Sequence, residues 1–409
     1  MTTTSYESMR PLIMQDPPEF DIVHGSVRPL PTNPVLGQIR KNLSVELDER
    51  RRALAAAGKR LFDFGLGDPK EPTPPFLREA LRAAVPEVSQ YPSAFGTAAL
   101  RRAAAGYLHR RFGVTVDPEA QVLACAGAKE AIFHLPLAFA GDPRRRKVVM
   151  PDPGYPTYEV GARFAGLEPV KVPLTARRRF LLEPEDVGEA VLRETLVYWI
   201  SYPHNPTGAE APRDYLRRVG AAALEHGFIV ASDECYADIY FGEPPASMLE
   251  VQLENVLAVH SCSKRSGMTG YRSGFLAGDP DLVRGLRALR SHPGVSQPEF
   301  VAAAATAAWS DDAHAAERRE IFRRKRDRFL RFFAEKGLVA DASDATLYLW
   351  VRVPEGHTSS SYALRLLDAG IVVAPGIAFG AGEGYVRVAL VPTLEECEEA
   401  IRAWARIEP

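Results

Sequence analysis

Between about residues 61 and 290 the sequence alternates with a steady rhythm. Short apolar or β-branched runs (QVLAC, RKVVMP, EPVKVPL, TLVYWIS, FIVASD, NVLAVHS and GFLAGD) are separated by turn residues and by helix-forming stretches such as PRDYLRRVGAAALEHG. Runs that are apolar throughout, rather than at every second position, belong to strands covered on both faces. Such strands alternating with helices form βαβ units on a mainly parallel sheet, so the expected fold class is α/β. Ligands in sheets of this kind sit beyond the carboxyl ends of the strands. The residues that follow each run are therefore the ones to read for chemistry.

The flanks differ in character. Residues 1–35 contain PPEF and RPLPTNPV and little periodicity, and read as an N-terminal arm. Residues 36–60 read as helix, with apolar positions at Leu36, Ile39, Leu43 and Leu47. After about residue 300 come an Ala-rich helix, a long basic helix, short strands (TLYLWVRV, IVVAPG, YVRVALV) and a last helix, LEECEEAIRAWARI. The expected organisation is an arm over 1–35, a large domain over 61–299, and a smaller α+β domain built from 36–60 and 300–409. GAGEG at Gly380–Gly384 precedes a strand rather than a helix, so it reads as a turn and not as a nucleotide loop.

A chain of 409 residues can bury a large core and divide into two domains. The formal net charge is −2, which provides no field for nucleic acid or an anionic membrane. Cys125, Cys235, Cys262 and Cys397 form no C-x-x-C pair, which fits a reducing compartment and no zinc ribbon. No apolar run is long enough to span a membrane, and the N-terminus lacks the apolar core of a signal peptide. The expected location is the cytoplasm. The clusters Arg144–Arg146 and Arg177–Arg179 are short, have acidic neighbours, and read as solvated turns.

The strand ends gather an unusual set of groups. ISYPHNPTG presents Asn205, IVASDECYADIYF presents Asp233 and Tyr236, VLAVHSCSK presents Ser261, Ser263 and Lys264, and LACAGAKEAIFHL opens a helix at Gly127, Ala128 and Lys129. This set suits a phosphorylated pyridine aldehyde. The helix start offers free N–H groups and a positive dipole end for a phosphate, and Ser261, Ser263 and Arg272 add donors. Lys264 supplies an amine that condenses with a carbonyl. Asp233 pairs with a ring nitrogen, and Asn205 and Tyr236 bond a phenolic oxygen. Taken singly each signal is weak, since NPTG is a common turn and an Asp after a strand is a common helix cap; their order and joint placement carry the inference.

NPTG, SDECY and SCSKRSGMTGYR, in this order, resemble pyridoxal-5′-phosphate enzymes of fold type I, in the class I/II aminotransferase group. The resemblance extends from about Pro34 to the C-terminus. It implies the type I PLP-transferase fold, with the cofactor-carrying lysine at Lys264, the ring-nitrogen carboxylate at Asp233 and the phenolic-oxygen ligands at Asn205 and Tyr236. It also implies phosphate ligands at Ser261, Ser263, Arg272 and the backbone of Ala128 and Lys129. SQYPSAFGTAALRRA resembles the segment whose tyrosine reaches the neighbouring subunit's phosphate, so Tyr91 implies a homodimer with shared sites. DFGLGDP implies a substrate-carboxylate contact at Gly67, and VAPGIAFGAGEGYVRVAL implies the substrate-binding arginine at Arg387, with Arg101, Arg272 and Arg352 as competitors. In the family the ring is often stacked by Trp; here PDPGYPTY offers Tyr155.

The implied reaction is ping-pong transamination between an amino acid and a 2-oxo acid. FGLGDPKEPTP, ASDECYADIYF and SKRSGMTGYRSGFLAGD are most similar to bacterial N-succinyldiaminopimelate aminotransferases of lysine biosynthesis, which implies 2-oxoglutarate and glutamate as the partner couple. SHPGVSQPEF reads as distal pocket lining, with His292 or Gln297 brought to it. His134, His204, His260 and His292 lack metal-ligand spacing and read as structural or pocket lining. Open alternatives are aromatic, alanine or glutamate-type specificity, or a related enzyme performing elimination, cyclisation or oxidation. A PLP-binding transcription regulator is disfavoured, because residues 1–35 are too short and Pro-rich for a helix-turn-helix domain.

Overall fold

The computed structural model describes residues 32–39 and 45–407. The chain falls into two units, residues 1–39 and residues 40–409. The first contributes the short helix Val35–Gln38, and residues 1–31 of the predicted arm lie outside the described residues. The helix expected over 36–60 is not one element: its described parts are Val35–Gln38 and Val45–Ala56, and Leu43 lies outside the described residues. The Ile39 end of the first piece is already extended, with ψ at 122°.

The strands of the second unit are, in chain order, β1 (Phe62–Phe64), β2 (Val122–Cys125), β3 (Lys147–Asp152), β4 (Glu168–Pro173), β5 (Thr195–Ser201), β6 (Ile229–Asp233), β7 (Val256–Ser261), β8 (Gly274–Gly278), β9 (Ala340–Asp341), β10 (Tyr348–Arg352), β11 (Ile371–Pro375) and β12 (Tyr385–Ala389). Seven form one sheet in the order β2-β8-β7-β6-β5-β3-β4. Its pairs are parallel except those made by β8, which runs antiparallel to β2 and β7. The other five form the sheet β1-β11-β12-β10-β9. β1 pairs with β11, so the first strand of the span assigned to the large domain joins this second sheet instead.

Every residue of β2, β5, β6, β7 and β8 is buried, as expected for strands with helices on both faces. The strand period of two sends neighbours to opposite cores. Tyr198, Ile200 and Val230 pack on one face with Phe275 and Trp309, while Val197, Trp199, Ala231 and Val259 pack on the other with Ile132 and Tyr158. Local chemistry fixes the helix ends. Gly227 closes Arg213–His226 at φ +71°, a left-handed cap that glycine adopts at least cost. Asp279 caps Pro280–Arg290 by accepting from the N–H groups of Asp281 and Leu282. Thr393 and Glu396 form a capping box on Leu394–Trp404. Among the described residues no helix is long and apolar enough to cross a membrane.

Candidate active site

The carboxyl ends of β5, β6 and β7 are brought into line by register. Ser201 pairs with Asp233, and Asp233 with Val259. Asp233 lies two positions beyond Ala231, and Ser261 two beyond Val259, so both belong to the face that carries helix Ala128–Phe139. Asp233 is 5% exposed. Its Oδ2 accepts from the Tyr158 hydroxyl at 2.7 Å and its Oδ1 from the Cys235 N–H at 3.2 Å. Burial pushes its carboxyl above the usual range, and the two hydrogen bonds pull it partly back. Among the described residues no cationic side chain pairs with it. A carboxylate buried in this way is a site for a positive charge.

Lys264 occupies the one-turn helix Cys262–Arg265, which starts where β7 ends. The Ser261 hydroxyl caps that turn, accepting from the Ser263 N–H at 3.2 Å. The Lys264 ammonium donates to the Gly67 carbonyl. Burial pushes the Lys264 amine down, with Tyr348 and Asp68 opposing the shift. A lowered amine pKa raises the fraction available as nucleophile or base.

The start of helix Ala128–Phe139 has no side-chain cap, which leaves its first N–H groups without intrahelical acceptors. Gly127 there has φ +84°, and a Cβ on it would lie 2.5 Å from Arg272 Nη2. Only glycine lets the guanidinium approach this backbone. Arg272 itself adopts φ +55° and donates from Nη1 to the Thr269 carbonyl at 3.0 Å. Buried Gln297 holds this turn by donating to the Arg272 carbonyl at 3.1 Å. Lys129 aims its ammonium at the Tyr155 ring, 5.9 Å from the centroid. Tyr155 in turn meets Tyr158 edge-on, with ring centroids 5.7 Å apart.

The second sheet brings the other wall. Arg387 on β12 donates to Asn205 Oδ1 at 3.0 Å and to the Gly65 carbonyl at 2.8 Å. Its guanidinium is sandwiched between the rings of Tyr348, at 4.2 Å, and Phe379, at 4.4 Å. Arg387 Nε is buried and has no partner among the described residues. A planar cation held between rings with a spare buried donor suits a carboxylate. Tyr236 meets Tyr348, hydroxyl to hydroxyl, at 2.9 Å. Burial, with Tyr348 beside it, pushes the Tyr236 phenol well up.

RSGMTGY, the stretch after Lys264, has a structural purpose that sequence reading misses. Arg265 is 4% exposed and bonds Asp238 Oδ2 at 2.6 Å, the Ala308 carbonyl at 2.6 Å, the Asp311 carbonyl at 2.9 Å and Asp312 Oδ1 at 2.6 Å. Asp238 also receives Tyr107 and Arg111, and Arg265 lies over the rings of Tyr107 and Trp309. Next along, Ser266 meets His314 Nε2 at 2.9 Å. The turn carrying Lys264 is thereby tied to the loop after Tyr236 and to the junction of helices Glu299–Ser310 and Ala313–Glu335.

Other expected residues lie elsewhere. Tyr91 is fully exposed. His292 is exposed just past the end of Pro280–Arg290, and Gln297 donates from its amide nitrogen to the Arg272 carbonyl. His134 bonds Glu130 at 2.7 Å, His204 bonds Thr207 at 2.8 Å, and His260 is enclosed by Tyr107 and Phe275. Of the competing arginines, Arg101 is held by Glu119 and the Gly96 carbonyl, and Arg352 by Asp341. Tyr158, Tyr348 and Phe379 were not found from sequence. Tyr155 precedes the helix Thr157–Phe164 that carries Tyr158, so no helical spacing links the two in the sequence.

Comparison with known proteins identifies the family. Residues 59–403 match the family described as aminotransferase class I and II. The chain is 39% identical over 371 residues to the LL-diaminopimelate aminotransferase of Aquifex aeolicus, covering 88% of this chain and 95% of that one. It is 36% identical over 378 residues to LL-diaminopimelate aminotransferase 2 of Trichormus variabilis, covering 90% and 96%. Among solved structures, the probable N-succinyldiaminopimelate aminotransferase of Thermus thermophilus superposes with a TM-score of 0.81 at 30% identity, covering 87% of this chain and 97% of that one. The chain belongs to the pyridoxal-phosphate-dependent aminotransferases of class I and II.

Proposed function

We propose that this aminotransferase takes a diaminopimelate as amino donor and 2-oxoglutarate as acceptor, with the unmodified LL-diamino diacid as the preferred donor. The observation that carries this is the relatives' name, LL-diaminopimelate aminotransferase, at 36–39% identity along nearly the whole chain. A second reading, the N-succinylated donor, rests on the SKRSGMTGYRSGF text and on the Thermus thermophilus structural relative.

For the cofactor, we assign Lys264 as the amine that carries it and Asp233 as the carboxylate that holds its ring nitrogen protonated. In support, Asp233 is buried without a cationic partner among the described residues, a deficit that a protonated pyridine would fill. Asn205 and Tyr236 would bond the phenolic oxygen, and Tyr155 would cover the ring. The phosphate would take the N–H groups of Ala128 and Lys129, the hydroxyls of Ser261 and Ser263, and Arg272, with Gly127 giving the guanidinium room. Bound there, the cofactor supplies an electron sink that makes an amino-acid Cα–H acidic.

The chain's own groups do the rest. Arg387 clamps the α-carboxylate through its fork, and Gly67 presents its amide to the same group. This fixes which Cα bond faces the Lys264 amine. Burial keeps that amine closer to its neutral form, so it would take the Cα proton and return it two atoms away, at the carbon on the far side of the amino nitrogen. The second substrate runs the same steps in reverse, giving ping-pong kinetics.

We infer further that two copies pair. Tyr91, Val88, Leu66 and Val85 are exposed at 103%, 72%, 64% and 56%, apolar surface that a second copy would cover while bringing Tyr91 to its partner's phosphate site. The four cysteines are free, which suits a reducing compartment, and we place the reaction in the cytoplasm. The division into a large domain over 61–299 and a small one over 36–60 and 300–409 remains our reading, with β1 as its exception.

The test is a half-reaction screen. The cofactor-loaded enzyme is mixed with LL-diaminopimelate, N-succinyl-LL-diaminopimelate, glutamate, aspartate, alanine and phenylalanine, and conversion of the cofactor to its amino form is followed. Fastest conversion by LL-diaminopimelate is expected. A preference for the succinylated donor selects the second reading, and silence from both diaminopimelates sinks the proposal.

A further inference from the structure

Tyr348 stands where the two sheets meet over the site. It lies on β10 of the five-stranded sheet and is 3% exposed. Its hydroxyl is 2.9 Å from that of Tyr236, which follows β6 of the seven-stranded sheet. The same hydroxyl occupies the space beside Gly67, where a Cβ would come within 2.2 Å of it. The Gly67 carbonyl accepts from Lys264, and the face of the Tyr348 ring carries the Arg387 guanidinium at 4.2 Å. One side chain thus touches Tyr236, Gly67 and Arg387.

We propose that Tyr348 is a positioning residue that works in two ways: its hydroxyl donates to Tyr236, and its ring holds the plane of Arg387. This rests on the role given to Tyr236 above. The argument for the first part is a proton count. A phenol has one proton to give. If Tyr236 gave its proton to Tyr348, it would have none for the cofactor's phenolic oxygen. With Tyr348 as donor, the chain runs from Tyr348 to Tyr236 to that oxygen. Hydrogen bonds in series polarise one another, so Tyr236 becomes the stronger donor. A stronger donor favours the ionised phenolic oxygen, and so lowers the pH at which the bound cofactor changes its visible absorbance.

The second part follows from where the ring lies. Arg387 is fixed by two hydrogen bonds at one end, but its orientation is set by the flanking rings of Tyr348 and Phe379. Bidentate capture of a carboxylate depends on that orientation. Loss of the hydroxyl and loss of the ring therefore have separable consequences.

The experiment uses Tyr348→Phe, which keeps the ring, Tyr348→Leu, which keeps neither group, and Tyr236→Phe with the Tyr236→Phe/Tyr348→Phe double variant. In Tyr348→Phe the pH midpoint of the cofactor's visible absorbance is expected to rise by about half to one unit. Its kcat should fall roughly two- to tenfold while KM for the amino donor stays within about twofold. In Tyr348→Leu, KM should rise as well, by about tenfold or more. In the double variant the absorbance midpoint should match that of Tyr236→Phe alone, because Tyr348 acts through Tyr236. An unmoved midpoint in Tyr348→Phe, or shifts that simply add in the double variant, overturns the relay. If Tyr236→Phe alone leaves the midpoint unchanged, the role assigned to Tyr236 has failed, and that pattern is distinct from failure of the relay. If Tyr348→Leu raises KM no more than Tyr348→Phe does, the ring has no part in holding Arg387. Thermal unfolding of each cofactor-free variant separates these outcomes from loss of fold.

Discussion

The Tyr158 hydroxyl donates to Asp233 Oδ2 across 2.7 Å, from a helix, Thr157–Phe164, that follows a different strand from the one Asp233 ends. Tyr158 is itself stacked on Trp199, with ring centroids 4.6 Å apart, so the donor is held in place by the core. Its hydrogen bond opposes the burial that would otherwise neutralise Asp233.

Tyr158→Phe should therefore weaken cofactor binding. A hydrogen bond to a charged acceptor contributes about 1.5–3 kcal/mol, which converts to a roughly ten- to hundredfold rise in the cofactor's dissociation constant. Titrating the cofactor-free protein by fluorescence measures it. Unchanged affinity would mean that Asp233 does not meet the ring as an anion.

Lys264→Ala should lose the visible absorbance of covalently held cofactor. It should also slow the half-reaction by at least about 10²–10⁴-fold, the scale of a positioned general base. Single-turnover mixing with LL-diaminopimelate reads both at once. Near-normal transamination in this variant would move the central chemistry to another residue.

Arg387→Lys keeps the charge but loses the fork and the stacking between Tyr348 and Phe379. A drop in kcat/KM of roughly ten- to hundredfold is expected, mostly through KM. The same variant should bind the cofactor with ordinary affinity. A large change in cofactor affinity with KM intact would contradict the assignment.

Arg265→Met removes the cation from the buried group around Asp238. Stranding one partner of a buried pair costs about 3–5 kcal/mol, so a clear fall in denaturation midpoint is expected. Chemical denaturation of the cofactor-free protein tests it. Stability equal to the parent would show that Arg111 and Tyr107 suffice to hold Asp238.

Glu210 gives a pH signature. Burial, and Asp344 beside it, push its carboxyl from 4.5 up to about 7, with Arg111 opposing. The folded protein then holds a proton that the unfolded chain has released. This contribution to stability is full below 4.5 and is lost as pH rises through about 7. Glu210→Gln, neutral throughout, should melt above the parent at about pH 8, with the advantage shrinking toward about pH 5. Calorimetry across that range decides it; an advantage independent of pH would mean that Glu210 does not titrate there.

Sequence alone was enough for the parallel sheet and for the residues at its strand ends. The seven runs became the seven strands of the large sheet; the inner strands are apolar almost throughout because both faces are buried, whereas β4, at the edge, carries Glu168 and Lys171 and is only partly buried. Asp233 and Ser261 drew notice as polar last residues of such runs, and Lys264 as the amine three residues past one, all at the strand ends where ligands sit in this fold class. The break between Val35–Gln38 and Val45–Ala56 and the pairing of β1 with β11 were not legible, since a three-residue strand has too short a pattern to read. Nor were Tyr158, Tyr348 and Phe379, or the bonds that Arg265 makes. These contacts join positions far apart in sequence: Tyr158 meets Asp233 75 residues away, and Tyr348 meets Tyr236 across 112. Local pattern records which face a residue takes, whereas the partner on that face is chosen by register and packing, and only the tertiary structure holds that information.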